Sequence, residues 1–257
     1  MMLHLRGLAR RVKKRLLDLL IPGRKTTSEL DFWRNEIANY QKWFLGESKF
    51  HYKTRCPQED QKVAAPTLKD SSILTWHKLH QEVKYLQDLE LGTDAFKGKR
   101  VLDIGSGPIP SATCFEGIQL YCLDPLISDY VKAGFPLHYY DNVHFVHGTS
   151  ECMPLFDGFF DVVIAVNSID HVDDIQQTAK EIQRVLKPGG LLRMHIHYHR
   201  ATVTEPLELN DAKVANLFSW CQEFRKVGSY SQMHSVDLPS DEKCVLWSNF
   251  QGLSREI

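Results

Sequence analysis

The stretch RVLDIGSGPIPSATCFEGIQLYCLDPL, residues 100–126, combines a glycine turn with two aspartates. Its apolar start predicts a buried strand, and Gly105 and Gly107 follow where this strand would turn into a helix. Glycine at such a turn lets the backbone approach a ligand closely. Asp124 ends the next predicted strand about 20 residues later, where a carboxylate can accept hydrogen bonds from both ribose hydroxyls. The spacing therefore predicts a site for a cofactor that carries adenosine.

NAD, FAD and S-adenosylmethionine all fit this pattern, and three details separate them. The dinucleotide fingerprint GxGxxG requires glycine at position 110, where this chain has Pro110, which has no N–H to donate. Asp103 precedes the turn, and a carboxylate there suits a cofactor with a cationic amino acid end better than a pyrophosphate. A Pro-Gly-Gly turn at residues 188–190 follows the last clear helical pattern. These details favour S-adenosylmethionine.

Elements that could position these residues alternate along the second half of the chain. Short apolar runs predict five strands, in RVLDIGSG, IQLYCLDP, NVHFVHG, FDVVIAVNS and GGLLRMHIHYH. Helical segments separate most of them, and the clearest, DDIQQTAKEIQRVLK, places Ile175, Ala179, Ile182 and Leu186 inward. This alternation predicts a parallel sheet that is covered on both faces. FRKVGSYSQMHSV and KCVLWSNFQ predict a terminal antiparallel pair.

Two helices are predicted before this sheet. SELDFWRNEIANYQKWFLGE begins at Ser28, which lies at capping-box spacing from Asp31, and carries an aromatic stripe. SSILTWHKLHQEVKYLQDLELG is predicted to end at Gly92, with one face formed by Leu79, Val83, Leu86 and Leu89. We expect both helices to cap the site or to pack beside it. The prediction divides the chain into an arm at 1–27, a helical extension at 28–95 and a domain at 96–257.

The arm is a basic amphipathic segment with six Lys or Arg residues between positions 6 and 15. Such a helix can lie on an anionic membrane surface, while a solvated arm, a packed helix and an organelle targeting peptide remain alternatives. No apolar run is long enough to span a bilayer. The six scattered cysteines form no CxxC pair and suit reduced thiols. We therefore expect a cytoplasmic protein whose residues 1–25 contact the inner face of the membrane.

Four motifs in order, VLDIGSGP, YCLDP, FDVVIAVNSIDHVDD and EIQRVLKPGGLLRMHI, resemble the class I S-adenosylmethionine-dependent methyltransferases. The resemblance is close over residues 101–196 and loose over the C-terminal strand pair. It implies an α/β, Rossmann-like fold with a seven-stranded sheet, mostly parallel, whose last strand is antiparallel, here with an N-terminal helical extension. It also implies an enzyme that takes a methyl group from S-adenosyl-L-methionine.

The family's cofactor site can be carried over by position. The implied residues are Asp103, Gly105, Ser106 and Gly107 at the methionine and ribose part, Asp124 at the ribose hydroxyls, Pro125 and Leu126 beside the adenine, Ser150 and Glu151 in the segment near the adenine amino group, and Asn167 on the methionine side. Two positions depart from the family pattern. Thr149 stands where the family often has an aspartate, and Ile109 stands where a glycine is usual.

Methyl transfer from a sulfonium to a hydroxyl benefits from a base that removes the hydroxyl proton. His171 lies just past the fourth strand, at the sheet edge where open α/β sheets bind ligands, and is the candidate base. The alternative for His171 is a structural or cofactor-lining role. Asp170 is the second candidate. Glu205, after the fifth strand, could bind the acceptor.

RMHIHYHR places His195, His197 and His199 on one face of a strand. An HxHxH array can bind a metal ion, but it more often forms a polar pocket wall, and we assign no metal ligand from the sequence.

A small-molecule or glycan acceptor, methylated on a hydroxyl, is the expected substrate. The chain lacks the Asn-Pro-Pro-aromatic motif of many enzymes that methylate amide or base nitrogens, and its net charge of −1 disfavours a nucleic acid partner. The N-terminal segments resemble methyltransferases of bacterial surface-glycan assembly. Two alternatives stand beside this enzyme: a methyltransferase-like binding protein without activity, and an NAD-dependent oxidoreductase, which Pro110 and the KPGG turn disfavour.

Overall fold

A computed structural model describes residues 24–48, 50–51, 54–202, 205–233 and 244–255. Residues 1–23, which make up most of the predicted basic arm, lie outside the described residues. Within the described ranges, no helix is long and apolar enough to cross a membrane.

The core of the fold is a seven-stranded sheet. Its strands are β1 (Arg100–Ile104), β2 (Gln119–Asp124), β3 (Val143–His147), β4 (Phe160–Val166), β5 (Leu186–Tyr198), β6 (Arg225–Met233) and β7 (Cys244–Leu253). The strand order is β3-β2-β1-β4-β5-β7-β6. Strands β1 to β5 pair in parallel, and β7 is antiparallel to both β5 and β6. The predicted fold class is therefore confirmed, including the antiparallel last strand.

Six α-helices accompany the sheet in the described part of the chain. They are α1 (Arg24–Phe44), α2 (Leu68–Trp76), α3 (Glu82–Leu89), α4 (Ile127–Ala133), α5 (Ile175–Val185) and α6 (Asp211–Leu217). A π-helical turn, His77–Gln81, joins α2 to α3, and a small pair of strands, Phe50–His51 and Thr54–Arg55, follows α1. Helices α5 and α6 pack on one face of the sheet and α3 on the other.

Helix α1 differs from the prediction at its start. Ser28 lies inside the helix, four residues after Arg24, so it is not the N-cap of a capping box with Asp31. Residues 24–27 contain no proline or glycine, and the backbone can continue through them as a helix. The aromatic stripe is confirmed, because Tyr40 and Trp43 are fully buried against α2 and α4.

The second predicted helix is interrupted by the π-helical turn. One extra residue per turn rotates the following residues about the helix axis, so a periodic pattern loses its phase. Val83, predicted to face inward, is 44% exposed, whereas Tyr85 and Leu89 are buried. The helix ends at Leu89 because Glu90 adopts a left-handed conformation with φ of 54°, two residues before the predicted stop.

The helix predicted between β1 and β2 is absent. Residues 105–118 instead form the glycine turn and a short 3₁₀ turn, Ser111–Cys114. Pro108 and Pro110 disfavour the helical conformation of the residues that precede them, and the segment is short. Helix α3 takes this place on the sheet, where Tyr85 and Leu89 share an apolar cluster with Val101. The helical extension and the sheet therefore share one core.

Candidate active site

A cavity of about 710 Å³ opens at the carboxyl ends of β1, β2 and β4. Helices α1 and α3, with the turn that joins α2 to α3, contribute its outer wall. Nine of the ten predicted cofactor-binding residues line it: Gly105, Ser106, Gly107, Asp124, Pro125, Leu126, Ser150, Glu151 and Asn167. The volume is in the range of about 300–1,000 Å³ that is typical of small-molecule sites.

The glycine turn is held in a conformation that other residues rarely adopt. Gly105 and Gly107 have φ values of 68° and 69°. A Cβ atom on Gly105 would lie 2.5 Å from the Cβ of Ser168, so the end of β4 leaves no room for a side chain. Ser168 fixes this contact, because its hydroxyl donates to the Ile104 carbonyl at 2.7 Å. The turn after β1 therefore presents bare backbone to the cavity.

Asp124 presents a fixed carboxylate at the end of β2. One of its oxygens accepts from the Gly107 amide at 3.0 Å and the other from the Leu126 amide at 2.8 Å. Burial raises the pKa of Asp124 to about 7, and the amide hydrogen bonds act against this rise. Each oxygen keeps acceptor capacity after its amide bond, so the pair can receive two hydroxyl donors.

Asp103 lies behind the cavity wall rather than on it. Its side chain is fully buried, and the Tyr85 hydroxyl donates to its two oxygens at 3.2 and 3.3 Å. Burial raises the pKa of Asp103 to about 8, with the charge of Asp124 adding to the rise. Tyr85, which the sequence did not single out, lines the cavity. The sequence predicted that Asp103 binds the cofactor. In the structure its side chain does not reach the cavity, and it contacts Tyr85, which does.

The segment after β3 is anchored to α5. The Ser150 hydroxyl shares a hydrogen bond of 3.0 Å with that of Thr178, and Glu151 accepts from the amide of Asp173 at 2.8 Å. These contacts fix residues 148–151 along the cavity. Thr149 lines it as well, at the position where the family often has an aspartate.

Helix α1 brings an aromatic wall that the sequence did not assign to the site. Phe32 and Trp33 line the cavity together with Ser28 and Glu29. The Trp33 ring lies 3.9 Å from the position that a Cβ on Gly107 would occupy. The aromatic stripe of this helix was the available signal, although it was expected mainly to pack the helix.

His171 and Glu205 line the cavity together, and we call this region the acceptor end. His171 closes a short turn, Ile169–His171, after β4, and its Nε2 lies 3.8 Å from a Glu205 oxygen. Asp170 is fully buried and is not part of the cavity wall. Its Oδ2 accepts from His199 Nε2 at 2.9 Å. In this placement Asp170 supports His199, and its role as a base stays a prediction.

His195 and His197 of β5 and His199, which directly follows it, do not act as one array. His195 is fully buried, its Nδ1 is 3.1 Å from the Asp88 carbonyl, and burial lowers its pKa. The His197 and His199 rings lie 4.8 Å apart between centroids, toward Glu205. Burial alone would lower the pKa of His199, but the hydrogen bonds with Asp170 and the Arg200 carbonyl raise it to about 9.

The site's geometry fits S-adenosylmethionine in two respects. The exposed backbone of Gly105 and Gly107 lies beside the Asp124 carboxylate, so one ribose can contact the backbone and donate hydrogen bonds to the carboxylate. The same cavity continues to His171 and Glu205, which leaves room for an acceptor beside the methyl group. When bound, this cofactor supplies an activated methyl group on a sulfonium.

Comparison with known proteins agrees with this reading. Residues 102–194 match the family described as a methyltransferase domain. The uncharacterized methyltransferase YcgJ of Bacillus subtilis is 30% identical over 103 residues, which are 38% of this chain and 41% of that relative. The matched segment thus spans less than half of the relative's length.

Solved structures show the same fold. The crystal structure of the B. subtilis YcgJ protein superposes with a TM-score of 0.52 and 19% identity, covering 69% of this chain and 99% of that chain. A phosphoethanolamine N-methyltransferase 2 of Haemonchus contortus, in complex with phosphomonomethylethanolamine and S-adenosylhomocysteine, gives a TM-score of 0.53 and 13% identity, covering 76% of this chain and 61% of that chain.

Proposed function

We propose that this chain is a class I S-adenosylmethionine-dependent methyltransferase and that it transfers the methyl group to a hydroxyl of a small-molecule or glycan acceptor. One observation carries the proposal. The glycine turn and Asp124 share a single cavity with His171, so a cofactor site and a candidate base open into the same space.

The proposed cofactor site uses the residues at the ends of β1, β2 and β4. Asp124 accepts hydrogen bonds from the ribose hydroxyls, and Gly105 and Gly107 let the backbone approach the ligand. Asn167, held with φ of 53° at the end of β4, lines the methionine side. Together these groups orient the donor, which is the main demand of an in-line displacement.

The proposed base is His171. A neutral imidazole can take the hydroxyl proton as the acceptor oxygen forms its bond to the methyl carbon. The Glu205 carboxylate, 3.8 Å from Nε2, can stabilise the imidazolium that results. Since both side chains are only partly exposed, this charge interaction is less screened than one at an open surface.

The walls of the cavity suit an acceptor with both apolar and polar surfaces. Phe32, Trp33 and Trp76 supply aromatic faces to the cavity, while Lys84 and Asp88 supply charged groups. Such a mixture favours a hydroxyl-bearing ring, as in a sugar, over a purely hydrophobic molecule. A lipid-linked glycan lies at a membrane surface, where the basic residues 1–25 could bind anionic lipids.

An acceptor screen tests this proposal. The full-length protein is incubated with methyl-labelled S-adenosylmethionine and a panel of deoxysugars, nucleotide sugars and lipid-linked glycans. We expect label transfer to at least one hydroxyl acceptor, with kcat reduced about 100-fold or more in His171→Ala. KM for the cofactor should stay within a few-fold, because His171 is not expected to bind it.

Three results would oppose the proposal. Transfer to a nitrogen or carbon acceptor would refute the hydroxyl assignment, and an unchanged kcat in His171→Ala would refute the base. Tight cofactor binding without turnover on any acceptor would instead favour the inactive binding protein. His138→Ala is the matched control, because His138 is an exposed histidine outside the cavity.

A further inference from the structure

Imidazole and carboxylate groups converge at the acceptor end of the cavity. Ligand atoms of His197, His199 and Glu205 all lie within 4.8 Å of one another. A second group, Asp170, His171 and Glu205, meets the same limit and shares Glu205 with the first. These residues come from β5, from the turn after β4 and from the segment between β5 and α6, so only the fold brings them together.

We propose that His197, His199 and Glu205 bind one divalent transition-metal ion of the zinc class. Two imidazole nitrogens and one carboxylate oxygen are a donor set that zinc accepts, with a fourth position left for water or substrate. Ligands of such an ion, with bonds of about 2.0–2.2 Å, lie about 3.4 Å apart. His199 Nε2 and the nearer Glu205 oxygen are 3.9 Å apart, so a small side-chain movement closes the site.

The hydrogen bonds of His199 prepare it for this role. Its Nδ1 lies 2.7 Å from the Arg200 carbonyl, which can only accept, so Nδ1 carries a proton. This contact fixes the ring and directs Nε2 toward the carboxylates of Asp170 and Glu205. A carbonyl behind the distal nitrogen is the usual support of a metal-binding histidine.

The charge balance of this region also favours a cation. Asp170 is fully buried, and its Oδ1 has no hydrogen-bond partner among the described residues. Its other oxygen is 2.9 Å from His199 Nε2, the separation of a hydrogen bond whose proton a bound ion would replace. The Asp170 and Glu205 carboxylates face one protonated imidazole, that of His199, in this partly buried cluster, and a divalent ion in place of the Nε2 proton supplies the remaining positive charge.

Glu205 connects this site to the cavity. Since Glu205 lines the acceptor end, an ion bound to it lies where an acceptor hydroxyl can reach its fourth position. Coordination there would hold the oxygen and lower the pKa of its proton, which His171 then receives. This role in acceptor activation rests on the proposed function, whereas metal binding itself does not.

Titration of the full-length, untagged protein with Co²⁺ and Zn²⁺, without cofactor or acceptor, tests the site. We expect one equivalent of Co²⁺ to bind with the visible absorption of a four-coordinate ion, and Zn²⁺ to displace it. His197→Ala and Glu205→Gln should each weaken binding at least tenfold, while His138→Ala should match the wild type. Thermal melting of each variant establishes that it is folded.

The absence of saturable binding overturns the proposal. Equal affinity in the wild type and Glu205→Gln overturns it as well, and this conservative variant decides the question if His197→Ala fails to fold. Because no cofactor is present, a negative result here leaves the proposed methyltransferase function standing. Failure of the acceptor screen, conversely, leaves the metal site standing.

Discussion

Three residues at one edge of the sheet set the shape and charge of the proposed cofactor site. Gly105, Gly107 and Asp124 could be predicted because a strand-turn-strand pattern places them at one sheet edge by local rules. The position of Asp103 could not, because its burial depends on Tyr85, which arrives from a helix 18 residues earlier in the chain.

The alternation of side chains likewise predicted His195, His197 and His199 on one face of a strand. It could not predict that His195 contacts the Asp88 carbonyl while His199 contacts Asp170.

The buried Asp103 predicts an unusual pH dependence of stability. Its pKa is about 8 in the folded protein, above the usual value, so the folded state keeps a proton that the unfolded state loses near pH 4. The unfolding free energy therefore falls as the pH rises from about 4 to about 8. In Asp103→Asn, we expect the fall between pH 5 and pH 8 to be smaller by about 2–4 kcal/mol.

Denaturant unfolding of both proteins at each pH measures this difference. Asp129→Asn is the matched control, because Asp129 is more exposed and pairs with Lys132 on α4. An identical pH dependence in wild type and Asp103→Asn would contradict the account of a protonated Asp103.

At the scale of elements, the strands were predicted well and the helices less so. Strand periodicity is a local signal, and all seven strands of the sheet overlap the predicted apolar runs. Strand β5 differs at its start, because it begins at Leu186, which was predicted to face inward from the helix, and continues through the predicted turn at 188–190.

The π-helical turn at His77–Gln81 has no sequence signature and shifts the helical periodicity after it. Val83 was therefore predicted on the buried face but is exposed. Pro108 and Pro110 are a sequence signal against a helix after β1. The packing of α3 in its place could not be predicted, because it depends on contacts between residues distant in the chain.

Hydrogen bonds from Arg184 attach helix α5 to the segment after β3. Arg184 donates to the Leu155 carbonyl at 2.7 Å and to the Met153 carbonyl at 2.9 Å, and it pairs with Glu181. Loss of these charge-assisted bonds should destabilise the protein by about 1–3 kcal/mol in Arg184→Ala. Because residues 148–151 precede this segment along the cavity, cofactor affinity should also fall a few-fold.

Thermal melting and hydrogen exchange measure these effects. Amides of residues 153–158 should exchange faster in Arg184→Ala, whereas Lys180→Ala, an exposed change on the same helix, should leave them unaffected. Unchanged exchange in this segment would show that other contacts hold it.

At the scale of the whole molecule, the site lies between two parts of the chain. The sheet contributes the turn, the carboxylate and the candidate base, and the N-terminal helices contribute aromatic and charged walls. The sequence predicted helices ahead of the sheet, but not that α3 shares a core with the sheet or that Trp33 lies beside the glycine turn. Such contacts join residues far apart in the chain, which periodicity cannot pair.

The basic segment at residues 1–23 leads to a prediction for the whole protein. We expect the full-length chain to bind vesicles that contain anionic lipid and to bind neutral vesicles weakly, because the segment combines apolar spacing with clustered Lys and Arg. Co-sedimentation compares it with a chain that begins at Arg24, where the described helix α1 starts. Equal binding by both chains would remove the membrane contact from this segment.

The most direct test of the account is calorimetric titration of the full-length protein with S-adenosylmethionine, S-adenosylhomocysteine and NAD. We predict one site for the first two ligands and no binding of NAD. In Asp124→Ala, the loss of charge-assisted hydrogen bonds to the ribose should weaken binding at least 30-fold, while Asp129→Ala should bind as the wild type does. Binding of NAD, or equal affinity in Asp124→Ala and wild type, would contradict the assignment of this cavity as the S-adenosylmethionine site.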